Sequence, residues 1–137
     1  MMKKTILVVD DDASVRESVN KVLRGAGYET VLAAGAMDAI TRFHTHSNDL
    51  VLLDIGLPTQ NGWETCKHVA RVHANVPIIV ITGQAGQFHS ALAAGASALM
   101  EKPLDAHQLL QLTQALLANA RESSLHRAQG TSRPVSA

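Results

Sequence analysis

The stretch Thr5-Ile6-Leu7-Val8-Val9-Asp10-Asp11-Asp12 decides the fold. Five β-branched or aliphatic residues run without a polar break and stop at three acids. A short apolar run of this kind reads as a strand buried on both faces, the pattern of a parallel sheet covered by helices. A helix follows, predicted to start at Ser14 with Glu17 completing a capping box. Val15, Val19, Val22 and Leu23 fall on one of its faces, and Gly25 and Gly27 end it.

The same unit recurs along the chain. Glu29 to Ala33 is a second predicted strand. Ala36 to about His46 is a helix with Ala36, Ala39, Ile40 and Phe43 inward. Leu50 to Leu53 is a third strand, closed by Asp54. Pro58 and Gly62 bracket a loop before a helix from about Trp63 to Arg71. Val76 to Ile81 is the fourth strand, closed by Thr82 and Gly83. A short helical stretch from Phe88 to Ala94 ends at Gly95. Ala98 to Glu101 is the fifth strand, before Lys102 and Pro103. The last helix takes Asp105 as N-cap and carries Leu109, Leu112, Leu116 and Leu117 as its apolar stripe. Alternating strand and helix patterns predict an α/β fold, a doubly wound five-stranded parallel sheet with helices on both faces and right-handed crossovers.

Length and composition agree. The 137 residues fit one domain, at 46% hydrophobic and 18% charged, enough apolar content for a packed core. Aromatics are only 3%, so the core is aliphatic. The formal net charge is zero, which points away from a nucleic-acid or anionic-membrane surface. The single cysteine, Cys66, cannot form an internal disulfide and suits a reducing compartment. The apolar run after Lys3 and Lys4 ends at once in aspartates, unlike a signal peptide. No apolar stretch approaches the roughly 20 residues of a membrane span. The cytoplasm is the expected location. Residues 1–119 are expected to form the domain, and 120–137, rich in Ser and Arg with few apolar residues, a flexible tail or linker.

Strand ends carry the chemistry. Asp10 and Asp11 close the first strand, Asp54 the third, Thr82 the fourth and Lys102 the fifth. Functional groups of an open parallel sheet gather at the carboxyl ends of its strands, so these residues should converge. Three clustered carboxylates repel one another unless a cation is supplied. Mg²⁺, which takes one or two carboxylates and keeps several waters, is the natural partner. A carboxylate beside Mg²⁺ and a lysine is a plausible phosphoryl acceptor. Taken singly, each residue has a plainer reading: an Asp at a strand end as a turn or cap residue, Thr82 as strand filler, Lys102 as surface charge.

Taken in order, Ile6 to Asp12, Leu52-Leu53-Asp54-Ile55-Gly56-Leu57-Pro58 with Gly62, Ile79-Val80-Ile81-Thr82-Gly83, Gly95-Ala96 and Glu101-Lys102-Pro103 resemble the receiver domains of bacterial response regulators, over roughly residues 4 to 118. The resemblance implies a flavodoxin-like strand order 2-1-3-4-5. It implies Asp54 as phosphoacceptor, Asp11 as direct Mg²⁺ ligand, Asp10 mainly through water, and the Gly56 carbonyl as a further ligand. Thr82 would move toward the phosphoryl group and Lys102 would pair with it, with Lys102–Pro103 often cis. Asp12 falls outside the essential acidic pair. The implied partners are a sensor histidine kinase or a histidine phosphotransfer protein and a downstream protein, with no nucleic acid or membrane contact through this domain and no turnover of an external substrate.

Two departures stand out. Leu99 lies three residues before Lys102, where receivers usually carry Tyr or Phe, and the Thr82–Lys102 segment is shorter than usual. Both point to an altered readout and a truncated fourth helix. Gly56 and Gln84 occupy positions where the family tunes loss of the phosphoryl group.

Two rival functions remain open. One is a phosphorylation-independent interaction module on the same fold. The other is an aspartate-nucleophile phosphatase, because Asp10-x-Asp12 is also similar to the opening motif of haloacid-dehalogenase-type enzymes; that motif leaves Asp54 and Pro58 without a role. Trp63 is expected to pack at the start of the third helix and Cys66 to be a small buried hydrophobe. His44 and His46 make a poor metal pair by spacing, as do His68 and His73, and all seven His are expected at the surface.

Overall fold

A computed structural model describes residues 3–56 and 62–126, with side chains described through residue 119. Pro58 and the chain beyond 126 lie outside the described residues. Ten elements alternate: β1 Thr5–Val9, α1 Ala13–Gly25, β2 Glu29–Ala33, α2 Ala36–Thr45, β3 Leu50–Asp54, α3 Gly62–Val72, β4 Ile78–Thr82, α4 Phe88–Ala93, β5 Ala98–Glu101 and α5 Ala106–His126. The sheet is fully parallel in the order β2-β1-β3-β4-β5. The expected fold class and strand order are both observed.

Period-two alternation divides the aliphatic strands between two cores. Leu7, Val9, Val51, Leu53, Ile78 and Val80 point to one face. They pack with Ala36, Ala39 and Phe43 of α2, Cys66 and Val69 of α3 and Ala91 of α4. Ile6, Val8, Leu50, Leu52, Ile79 and Ile81 point to the other, against Val19 and Leu23 of α1 and Leu109 and Leu116 of α5. Each fully buried Val, Leu, Ile or Phe side chain contributes about 1.5–3 kcal/mol. The unbroken burial of β3 and β4 explains why their sequences show no polar alternation.

Several boundaries differ from expectation. α1 starts at Ala13 rather than after a Ser14 cap. Asp12 is the N-cap, and its carboxylate accepts from the amides of Ser14 and Val15 at 2.9 and 3.3 Å. Asp caps as well as Ser, and the Ser14–Glu17 spacing only mimicked a capping box. α2 ends one residue early, with His46 as its C-cap. β4 begins at Ile78, not Val76. The Val76 amide is held in a turn by the His73 carbonyl at 3.2 Å, and Pro77 has no amide to donate. α5 continues to His126, so the compositional break at 120 is not the end of the helix. α4 has only 6 residues, the truncation anticipated from the short Thr82–Lys102 segment. Gly95 follows it with φ +87°, a left-handed turn that glycine enters without a Cβ penalty.

Candidate functional site

Register builds the site. Val9 pairs with Leu53, Asp54 with Ile81 and Thr82 with Glu101, so the residues that end β1, β3, β4 and β5 emerge side by side. Oxygen atoms of Asp10, Asp11 and Asp54 lie within 4.8 Å of one another. Asp10 and Asp54 are buried, while Asp11 is exposed. Lys102 reaches into the cluster: its Nζ donates to Asp54 Oδ2 at 3.1 Å and makes an ion pair with Asp10 Oδ2 at 3.3 Å. The Lys102–Pro103 peptide is cis.

The two buried carboxylates are fixed by backbone. Asp10 Oδ1 accepts from the Asp12 amide at 2.9 Å, and Asp54 Oδ1 from the Gly56 amide at 2.9 Å. The Arg16 guanidinium, one turn into α1, donates from Nη1 to the Asp10 carbonyl at 2.7 Å. Thr82 is buried, and its Oγ1 accepts from the Gln84 amide at 3.0 Å and donates to the Gln84 carbonyl at 3.3 Å. The Lys102 amide bonds to the Thr82 carbonyl at 2.8 Å, joining the ends of β4 and β5.

The electrostatics are unbalanced. Three carboxylates face one ammonium, and buried Asp10 Oδ2 receives no hydrogen bond. Burial pushes the Asp10 carboxyl above its ordinary 3.8, and the Asp54 charge adds to this. The Asp12 amide and the Lys102 charge oppose it without prevailing. Burial works to lower the Lys102 ammonium, but the hydrogen bond to Asp54 and the charge of Asp10 outweigh it and raise the group above 10.5. A buried carboxylate oxygen held only by an ion pair, beside two further carboxylates, is the donor set a hard divalent cation takes. A Cβ at residue 56 would stand 3.3 Å from Asp54 Oδ1, so glycine keeps the approach to that oxygen open.

A stability prediction follows from the raised Asp10. A carboxyl whose folded pKa exceeds its unfolded value costs stability above the folded value. The cost is relieved as pH falls from there to 3.8. In EDTA, Asp10→Asn should therefore raise the urea midpoint at pH 7, with the gain shrinking as pH is lowered toward 4. The amide keeps an oxygen for the Asp12 N–H, and Lys102 keeps Asp54. A variant less stable than wild type at pH 7 would contradict this account of the cluster.

All five strand-end residues singled out in the sequence, Asp10, Asp11, Asp54, Thr82 and Lys102, meet at one edge, and Gly56 joins them through its amide. Asp12 stays out, its carboxylate engaged in capping α1. Two features escaped sequence reasoning. The Arg16 tie to Asp10 belongs to no motif; only its place in the first turns of α1 hinted at it. The imidazoles of His44 and His68 meet across α2 and α3, with Nε2 atoms 3.0 Å apart, a contact between helices that spacing along the chain does not reveal. Five His side chains are exposed and His68 is half-buried among the described residues. Trp63 and Leu99 are partly buried against the first core. Cys66 is buried, its Sγ 3.5 Å from the Ala94 carbonyl and its thiol pushed up by burial to about 12. No helix of the described residues is long and apolar enough to cross a membrane.

Fold and site together define a doubly wound α/β domain with an acidic, lysine-bridged pocket at the carboxyl end of its parallel sheet. Residues 6–114 match the family model for the response regulator receiver domain, and the chain belongs to that family, the phosphoacceptor modules of two-component signalling. It is 37% identical over 118 residues to the DNA-binding response regulator MtrA of Mycobacterium tuberculosis, covering 85% of this chain and 51% of that protein. It is 35% identical over 118 residues to the response regulator MprA of a Mycobacterium species, covering 85% of this chain and 51% of that protein. The chain thus spans about half the length of these curated relatives. A CheY-like receiver domain protein from Methanospirillum hungatei superposes with a TM-score of 0.86 at 30% identity, covering 89% of this chain and 99% of that one. The chemotaxis protein CheY4 of Vibrio cholerae gives 0.80 at 28% identity, covering 84% and 99%.

Proposed function

We propose that this chain is a Mg²⁺-dependent phosphorylation switch in which Asp54 accepts a phosphoryl group from a phosphohistidine of a sensor kinase or phosphotransfer protein. The carrying observation is the Lys102 ammonium held between Asp54 and Asp10 inside a cluster of three carboxylates. An Asp54 oxygen attacks phosphorus; the P–N bond breaks as the P–O bond forms, and the donor imidazole leaves. Asp10, Asp11, Asp54 and the Gly56 carbonyl are the residues that would hold Mg²⁺, which supplies positive charge to the transferring phosphoryl oxygens. Lys102 follows its oxygen partner from the free carboxylate to the phosphoryl group. Thr82 exchanges its long bond to the Gln84 carbonyl for a phosphoryl oxygen. The added charge thereby pulls on the ends of β4 and β5 and biases a two-state surface.

The output is a protein contact in this reading, and no external substrate is turned over. The decisive test is intact mass after incubation with acetyl phosphate. One phosphoryl adduct is expected with Mg²⁺ and none in EDTA; an equal adduct in EDTA would overturn the metal requirement.

Leu99 in place of an aromatic ring and the 6-residue α4 favour a second reading, in which the fold binds its partner whatever its phosphorylation state. Partner affinity unchanged by Asp54→Ala and by phosphoryl donors would establish that reading instead.

A further inference from the structure

The His44–His68 contact lies away from the acidic pocket. His44 is the penultimate residue of α2, whose chain then returns to the start of β3. The acids sit at the opposite, carboxyl ends of the strands. His44 Nε2 and His68 Nε2 face each other at 3.0 Å, and the ring planes cross at 78° with centroids 5.2 Å apart. The edge of the His44 ring packs against Phe43 at 5.6 Å, and Phe43 is anchored in the core. His68 is half-buried on α3. The two nitrogens are therefore delivered by neighbouring helices whose own packing fixes their approach.

A hydrogen bond between two neutral surface imidazoles contributes little by itself, since water competes for both partners. The same pair suits a different task. Imidazole nitrogen is the preferred ligand of Zn²⁺, Ni²⁺ and Cu²⁺. At Zn–N distances of about 2.0–2.1 Å, two nitrogens of a tetrahedral site stand about 3.3 Å apart. The observed separation needs to open by only a few tenths of an ångström, with the rings tilting outward, and the exposed His44 is free to do so.

We propose that His44 and His68 form a two-imidazole site for a divalent transition-metal ion of the Zn²⁺, Ni²⁺ and Cu²⁺ class, clipping α2 to α3. The ion takes the place of the shared hydrogen bond. The ring that donates its Nε2 proton shifts to the Nδ1–H tautomer, so that both Nε2 lone pairs face the metal and no proton need be released. Among the described residues, the only group of three or more metal-ligating side chains is the acidic one. Water completes the coordination, and the site is open and exchanges its ion readily. Binding by both helices makes the second ligand intramolecular, which strengthens the pair beyond either imidazole alone.

Isothermal titration of tag-free, EDTA-treated full chain with Zn²⁺, in saturating Mg²⁺ to occupy carboxylates, tests this directly. Wild type should bind one equivalent. His44→Ala and His68→Gln should each weaken binding at least tenfold, whereas His46→Ala and His73→Ala should leave it unchanged. Zn²⁺ should also raise the melting temperature of wild type and not that of His44→Ala, with circular dichroism confirming that the variants are folded. Equal Zn²⁺ affinity in wild type and in folded His44→Ala would overturn the proposal, as would the absence of any binding to wild type.

Discussion

Asp54→Asn is expected to abolish the Mg²⁺-dependent phosphoryl adduct, taking it from one per chain to none. The carboxamide lacks the negative charge that makes a carboxylate oxygen nucleophilic toward phosphorus, yet it matches the carboxylate in shape. Its oxygen can still accept from the Gly56 amide, which now meets Asp54 Oδ1 at 2.9 Å, and Lys102 retains its ion pair with Asp10 at 3.3 Å. The substitution also removes one of three mutually repelling carboxylates from a group within 4.8 Å, so the fold should not suffer. Loss of the adduct with an unchanged or higher urea midpoint would therefore isolate the chemistry from stability. Intact-protein mass spectrometry of wild type and variant side by side reads the result. An undiminished adduct on the variant would move the acceptor to Asp10 and reopen the phosphatase-like reading. The structure already gives that reading little, because the Asp12 carboxylate it needs as an acid is bonded to two amides at the start of α1.

What could be read from the residues follows a physical division. β1, β3 and β4 were legible because central parallel strands are buried on both faces and so carry uninterrupted aliphatic runs. The site was legible because a parallel sheet brings all its carboxyl ends to one edge. Polar residues at four strand ends then had nowhere else to meet. Features set by competition between near-equal local solutions were not legible. Three consecutive aspartates offer several caps, and only the three-dimensional path chooses Asp12. The apolar stripe of α5 ends at Leu117, but backbone hydrogen bonding carries the helix on to His126 through residue types that helices tolerate. Contacts across elements, such as Arg16 to the Asp10 carbonyl and His44 to His68, depend on helix placement to within an ångström or two. No periodicity along one segment encodes that.

The arrangement also separates phosphoryl chemistry from its readout. Asp10, Asp54 and Lys102 are locked by backbone amides, by Arg16 and by one another. The Thr82 hydroxyl is held more weakly, by Gln84 alone among the described contacts. Leu99, beyond it, is an aliphatic residue packed against the first core. A leucine there carries no hydroxyl and no large planar ring whose rotation would change the surface. In the proposed switch, phosphorylation would then act through the Thr82–Gln84 turn and the short α4 that follows, without an aromatic side chain to carry the change further.

Gly62→Ala is expected to cost about 3 kcal/mol, near the upper end for overpacking. Residue 62 opens α3, and a Cβ built there would fall 2.4 Å from Ile55 Cα, 2.5 Å from its carbonyl oxygen and 2.7 Å from its carbonyl carbon. These are backbone atoms, so no side chain can rotate away. Ile55 cannot retreat either, because its amide is bonded to the Ile81 carbonyl at 3.1 Å at the end of the sheet. The start of α3 must move instead, against Thr65, Cys66 and Val69, all buried. Intrinsic helix propensity acts in the opposite direction, since Ala is better than Gly in a helix by about 1 kcal/mol. Gly25→Ala gives the matched control: it lies in α1, a new Cβ there meets nothing within 4 Å, and the substitution should stabilise by about 0.5–1 kcal/mol. Urea denaturation of the two variants should thus shift the midpoint in opposite directions. A Gly62→Ala midpoint at or above wild type would show that the approach of α3 to Ile55 is looser than the structure has it. The same strain reaches the site, because Ile55 joins Asp54 to Gly56. The variant should therefore bind Mg²⁺ more weakly than Gly25→Ala does, even at temperatures where both are fully folded.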